Sequence, residues 1–72
     1  MRTITFSIEN GNKDLYKELE ITLAKIEGIE RALIDVNDGD LTIEFNDELI
    51  DSKKIHAAIE NQGANSTEKS TR

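Results

Sequence analysis

The sequence predicts an α+β domain, a two-layer sandwich in which an antiparallel sheet carries two helices on one face. Three observations lead to this fold class. Apolar residues alternate with a period of two in three short segments, they recur with a helical period in two longer segments, and these segments follow in the order βαββα. A last strand after the second helix would complete the split βαβ arrangement, so the expected order is βαββαβ.

A change of period separates the first strand from the first helix. Residues 3–9 alternate, and one set of apolar side chains faces inward: Ile4, Phe6 and Ile8. Asn12 is placed to cap a helix of residues 13–27, and Gly28 is expected to end it. Ile21 falls on the exposed side of this helix. The apolar stripe on its inner side consists of Leu15, Leu19, Leu23 and Ile26.

The second and third strands are expected to form a hairpin. Residues 29–36 and 41–45 both alternate, and the Asp38-Gly39 pair between them is typical of a tight hairpin turn. Leu33 is expected to face outward. The inward side chains are Ala32, Ile34 and Val36 from the second strand and Leu41, Ile43 and Phe45 from the third.

The second helix begins at a cap formed by Asp51 or Ser52 and ends at Gly63. Its inner stripe consists of Ile55, Ala58, Ile59 and Gln62. No residue after Ala64 is apolar, so we expect a short or frayed edge strand of about two to four residues within 65–68. The predicted organisation is a single domain of residues 1–65 and a polar, flexible tail of residues 66–72. Such a last strand would leave the backbone of the first strand available to another chain.

Composition excludes several functions for these 72 residues. The chain has no cysteine, so it has neither disulfides nor a thiolate metal site. A net charge of −6 and three aromatic residues argue against nucleic-acid binding, which depends on clustered basic and stacking side chains. No apolar run reaches the roughly 18 residues of a membrane span, so we expect no membrane insertion and a cytoplasmic location. No catalytic constellation is present, so an enzyme is not expected.

Three motifs coincide with the expected elements: residues 26–29 at the end of the first helix, residues 34–45 in the hairpin, and residues 55–63 in the second helix. With these motifs the chain resembles, from about residue 3 to residue 63, the heavy-metal-associated domains of copper chaperones and metal-pumping ATPases. Ile26-Glu27-Gly28-Ile29 is similar to that family's leucine-proline-glycine-valine signature. Ile34-Asp35-Val36, the Asp38-Gly39 turn and residues 41–45 are similar to its central hairpin. Residues 55–63 resemble its second helix, which ends in an alanine-isoleucine pair and then glycine. The resemblance implies the ferredoxin-like βαββαβ fold.

The resemblance fails at the metal site. The family carries a methionine, a small residue and then Cys-x-x-Cys in the loop before its first helix. Counted back from Gly28, the methionine position is Asn10 and the cysteine positions are Asn12 and Leu15. An amide and a leucine cannot replace two thiolates for a soft ion, so we expect no metal cofactor. Asn12 is instead interpreted as a helix cap and Leu15 as part of the core.

The sequence therefore favours a non-enzymatic binding module that contacts a protein partner or a second copy of itself. Ile21 and Leu33 are the candidate contact residues, since both are apolar and expected to be exposed. One alternative is metal trafficking with harder ions through altered ligands. These ligands would come from Asn10, Asn12, Asp14 and His56. A further alternative is an accessory domain of a metal transporter.

Overall fold

The computed structural model describes residues 1–71 and confirms the predicted ferredoxin-like α+β fold. Four antiparallel strands form one sheet in the order β2-β3-β1-β4, and two helices complete the βαββαβ order. The elements are β1 (Arg2–Ile8), α1 (Lys13–Ala24), β2 (Ile29–Asp35), β3 (Asp40–Phe45), α2 (Ser52–Asn61) and β4 (Ser66–Thr71). Neither helix in this part of the chain has the length and apolar content to cross a bilayer.

The core lies between the central strands and the two helices, as the alternation predicts. β1 and β3 pair in register, with Ile4 opposite Ile43 and Phe6 opposite Leu41, so both strands present the same face to the helices. Full burial of each such side chain is worth about 1.5–3 kcal/mol relative to exposure. The buried set includes Ile4, Phe6, Ile8, Leu41, Ile43 and Phe45 from these strands and Leu19, Leu23, Ile55 and Ile59 from the helices.

Both helices begin at the predicted caps, but α1 is shorter than expected. Asp51 caps α2 through a 2.9 Å hydrogen bond from the Lys54 amide. α1 ends at Ala24 rather than residue 27, because the amides of Lys25 and Ile26 bond to carbonyls only three residues back, which tightens the chain into a turn. Gly28 lies beyond this turn, and its φ of +98° reverses the chain into β2.

The prediction that Val36 faces the core is wrong. β2 ends at Asp35, and the Val36 side chain is 58% exposed in the hairpin turn. The Asp35 carboxylate accepts a hydrogen bond from the Asn37 amide, and the Asp35 carbonyl accepts one from Gly39. These two bonds begin the turn immediately after Asp35, so Val36 leaves the sheet before it can point inward.

The last strand extends beyond the segment predicted for it. β4 covers Ser66–Thr71 and pairs with β1, so residues 66–71 form a strand where a flexible tail was expected; Arg72 lies outside the described residues. The pairing register shifts between Thr5 and Phe6, which marks an irregularity in the ladder. The expectation that β1 has a free edge is therefore wrong, since β1 lies between β3 and β4.

Candidate functional site

Three chain connections meet at one end of the sheet, around the loop that follows β1. The Ile8 amide donates a 2.8 Å hydrogen bond to the Gly39 carbonyl in the β2–β3 turn. The next amide, of Glu9, donates a 2.8 Å bond to the Asn65 carbonyl just before β4. This end therefore holds the loop in which the resemblance to heavy-metal-associated domains places the metal.

Asn10, at the position of the family's methionine, ties this loop to the connection between α2 and β4. Its Nδ2 donates a 2.9 Å hydrogen bond to the Gly63 carbonyl, and its Oδ1 accepts a 2.7 Å bond from the Asn65 amide. The two backbone groups flank Ala64, which is only 2% exposed. The Asn10 side chain thus acts as a short bridge between two connections, and its oxygen already has a partner.

Asn12, at the first cysteine position, is the N-cap of α1. Its extended backbone lets Oδ1 accept a 2.9 Å hydrogen bond from the Leu15 amide, while its carbonyl accepts one from the Tyr16 amide. The bond to Oδ1 satisfies an amide that the first turn of a helix would otherwise leave unpaired, and the bond to the carbonyl is the first i→i−4 bond of the helix. The predicted capping role of Asn12 agrees with this geometry.

Leu15 and Tyr16 close the loop from the helix side. Leu15, at the second cysteine position, is half-buried and packs against the core cluster. The Tyr16 ring lies against Gly11, where a β-carbon would overlap the ring, and its hydroxyl lies close to Gly39. Tyr16 is not among the residues that the sequence pattern singles out. The two glycines that make room for its ring follow no spacing rule that would have identified the contact.

Two of the alternative metal ligands, Asp14 and His56, lie on different helices. His56 lies on α2, where its ring stacks on Phe6 at a centroid distance of 5.4 Å and its Nε2 is 3.2 Å from the Ser66 carbonyl. The Glu60 carboxylate, one helical turn further along, lies 3.5 Å from this nitrogen. Asp14 is exposed in the first turn of α1. Within residues 1–71, no group of three or more His, Cys, Asp or Glu side chains could hold a metal ion.

The two candidate contact residues lie on different layers of the sandwich. Ile21 is 47% exposed on α1, and Leu33 is 49% exposed on β2. The neighbours of Leu33 along the strand, Ala32 and Ile34, pack against the core, so Leu33 itself faces the open side of the sheet. The exposure predicted for both residues is observed.

The open sheet face around Leu33 is otherwise polar. Thr5 and Thr42 are cross-strand partners whose hydroxyl oxygens lie 3.4 Å apart. Lys69 on β4 reaches across β1 to Asp40 on β3, with 2.9 Å between Nζ and Oδ2. Among the described residues, this face therefore combines hydroxyl groups, a cross-strand ion pair and an exposed leucine.

Glu20 is a residue that sequence reasoning missed. Its Oε2 accepts a 2.9 Å hydrogen bond from the Ile34 amide, on the side of β2 that faces away from β3. The bond joins residues fourteen positions apart, from the helix layer to the edge of the sheet. No sequence period signals it, because a glutamate on a helix is ordinarily exposed to solvent.

Comparison with known proteins identifies the fold. No protein-family model matches the chain, and no curated protein matches it in sequence. A copper-binding domain from HMA7, a P-type ATPase, matches with a TM-score of 0.90 and 18% identity over 100% of this chain and 99% of that domain. The N-terminal domain of a potential copper-translocating P-type ATPase from Bacillus subtilis matches with a TM-score of 0.90 and 22% identity. The match covers 99% of this chain and 90% of that domain.

The CopZ metallochaperone matches with a TM-score of 0.83 and 20% identity, covering 90% of this chain and 98% of that one. At these identities the likeness is one of fold, and it agrees with the resemblance seen in the sequence. The chain therefore has the ferredoxin-like fold of heavy-metal-associated, copper-binding domains, built from a sequence that contains no cysteine.

Proposed function

We propose that this chain is a non-enzymatic binding module that has lost the thiolate metal site of its fold and acts by contact with another protein chain. The observation that supports the proposal most strongly is that the side chains at the metal-site positions in the loop after β1 already contact other parts of the protein. The side-chain oxygens of Asn10 and Asn12 both accept hydrogen bonds from backbone amides, and Leu15 packs against the core.

These three residues have structural roles at the three positions where the resemblance expects metal-site residues. An asparagine oxygen can bind a hard cation, but here each oxygen would have to share or give up a backbone donor. A leucine offers no ligand atom at all. The loop is therefore better suited to hold β1, α1 and β4 together than to receive and release an ion.

A role in protein contact is supported by the side chains that remain exposed. Leu33 is a large apolar residue on an otherwise polar sheet face, and Ile21 is an exposed apolar residue on α1. Burial on association recovers about 25 cal/mol for each Å² of apolar surface removed from water, so such residues are natural anchors for a small interface.

Metal trafficking with altered ligands is the second candidate, and the copper-binding domains that share the fold favour it. It would use Asn10, Asn12, Asp14 or His56 and would suit ions harder than Cu(I). An accessory domain within a larger transporter is a third arrangement, in which the same surfaces would contact other domains of that protein.

A metal titration separates the first two candidates. The backbone amide resonances of the ¹⁵N-labelled protein are followed while Cu(I), Zn(II), Ni(II) or Mn(II) is added at micromolar concentrations. We expect the resonances of residues 10–15 to remain unchanged with every ion. Stoichiometric shifts or broadening confined to these residues would overturn the proposal and establish an altered metal site.

A further inference from the structure

The outer edge of β2 carries a hydrogen bond that a strand edge does not ordinarily have. In the described sheet, β2 pairs with β3 on one side, and on the other side the Ile34 amide donates to Glu20 Oε2 at 2.9 Å. Backbone groups that point to the same edge recur at every second residue of a strand, so Ala32 is oriented outward like Ile34. Glu20 thus occupies a donor that a neighbouring strand would otherwise use.

Residues 31–35 of β2 pair regularly with β3, and their exposed side chains alternate in character. Arg31 to Asp35 pair with β3 without interruption, since the register shift lies before Arg31. Arg31, Leu33 and Asp35 alternate along the open face as a basic, an apolar and an acidic residue. Within residues 1–71, no carboxylate lies at ion-pair distance from the Arg31 guanidinium.

This pattern is complementary to itself. If two copies of β2 pair antiparallel about Leu33, the two leucines face each other and each Arg31 lies opposite the other copy's Asp35. Ala32 and Ile34 then face one another across the new ladder and can exchange backbone hydrogen bonds, because both point to the outer edge. Cross-strand pairs of opposite charge and apolar pairs both stabilise such a ladder.

We propose that the β2 edge is a self-pairing strand that joins two copies of this chain, and that Glu20 keeps it closed by occupying the Ile34 amide. Pairing requires the Glu20 carboxylate to give up that amide to the Ala32 carbonyl of the second copy. The β2 edge thereby specifies the partner for the proposed binding role, and the inference rests on that role.

The other edge of the sheet is less suited to the same use. β4 has no apolar side chain between Ser66 and Ser70, and its register shift interrupts the ladder at Thr5 and Phe6. Lys69 on this strand is already paired with Asp40. A bulge and charged side chains are features that prevent an edge strand from accepting a neighbour.

Sedimentation velocity from micromolar to millimolar concentration tests the closing role of Glu20. Glu20→Ala removes the acceptor, and we expect its dimer dissociation constant to be at least roughly tenfold lower than that of the native chain, about 1.4 kcal/mol. Glu20→Gln is the matched control, because its side-chain carbonyl can still accept from Ile34, and it should associate as weakly as the native chain. A Glu20→Ala variant no more associated than Glu20→Gln would overturn the closing role.

A charge-exchange experiment in the Glu20→Ala background tests the register and does not depend on one variant alone. Arg31→Asp leaves two acidic side chains on the strand, and Asp35→Arg leaves two basic ones. Each variant alone should be monomeric because like charges meet across the pair, whereas an equimolar mixture should form heterodimers. Circular dichroism confirms that both variants are folded. Homodimerisation of either variant as strong as that of Glu20→Ala alone, or a mixture that stays monomeric, would overturn the proposed pairing.

The two proposals fail in different measurements. Metal-induced shifts in residues 10–15 would overturn the metal-free role and leave the Glu20 comparison unaffected. A monomeric Glu20→Ala variant, with those residues still unresponsive to metal, would overturn β2 pairing and leave the metal-free role in place.

Discussion

The aromatic ring of Tyr16 lies so close to Gly11 that a β-carbon at position 11 would come within 2.6 Å of the Tyr16 hydroxyl oxygen and would overlap the ring itself. The same hydroxyl lies 3.2 Å from where a β-carbon of Gly39 would stand. Tyr16 thus spans from the loop after β1 to the β2–β3 turn. An aromatic side chain therefore lies between two connections at the end of the sheet where the resemblance to heavy-metal-associated domains places the metal loop.

Gly11→Ala should destabilise the protein by about 1–3 kcal/mol, because the added methyl group forces the Tyr16 ring out of its site. The backbone at Gly11 does not have a positive φ, so the cost comes from the clash and not from conformational strain. Urea unfolding followed by circular dichroism measures the change. In a Tyr16→Ala background the same substitution should cost less than about 0.5 kcal/mol, since the ring is gone. An equal cost in both backgrounds would contradict the contact.

The bridge formed by Asn10 gives a prediction about local opening. Asn10→Ala removes the acceptor of the Asn65 amide and the donor to the Gly63 carbonyl, and should cost about 1–2 kcal/mol of unfolding free energy. Hydrogen exchange of the Asn65 amide should quicken by about tenfold or more, while that of the Leu15 amide, bonded to Asn12, should change only with global stability. If the exchange rate of the Asn65 amide changed no more than that of the Leu15 amide, the Asn10 bridge would not stabilise the connection between α2 and β4.

The sequence predicts those parts of the structure that rest on periodic apolar burial or on local capping. The alternation of Ile4, Phe6 and Ile8 and the caps Asn12 and Asp51 all depend on residues near in sequence, and all are found as predicted. β4 is different, because it joins the sheet through backbone hydrogen bonds that any sequence supplies. Its polar residues therefore gave no alternation that would have marked its full length.

The candidate site is predictable only in part, for the same physical reason. The absence of thiolate ligands follows from composition, and the Asn12 cap follows from its place before the helix. The Asn10 bridge and the Glu20 bond join groups distant in sequence, and they depend on how the layers pack. Side-chain to backbone bonds of this kind have no characteristic spacing.

Ser66→Ala should stabilise the protein. The Ser66 hydroxyl oxygen is buried and has no hydrogen-bond partner within the described residues, so the folded chain bears the cost of removing it from water. Its removal should raise the free energy of unfolding by about 0.5–2 kcal/mol. Ser70→Ala is the control on the same strand, because Ser70 is exposed and should change stability by less than about 0.5 kcal/mol. Destabilisation by Ser66→Ala would show that the hydroxyl contributes favourably.

The double substitution Asn12→Cys/Leu15→Cys should restore binding of a soft ion. It places two thiols at the start of α1, with the Cys-x-x-Cys spacing that the resemblance assigns to these positions, and thiolates are the ligands that select Cu(I). Without metal we expect the free energy of unfolding to fall by about 2–3 kcal/mol, because the Asn12 cap is removed and the side chain at the half-buried position 15 becomes smaller.

Asn12→Ser/Leu15→Ser is the matched control, since serine retains a capping oxygen and similar size but offers no thiolate. Under anaerobic conditions, Cu(I) should shift the amide resonances of residues 10–15 in the cysteine variant and leave those of the serine variant and the native chain unchanged. A cysteine variant that also failed to respond would contradict this prediction. It would show that the missing thiolates alone do not account for the absence of metal binding that we propose.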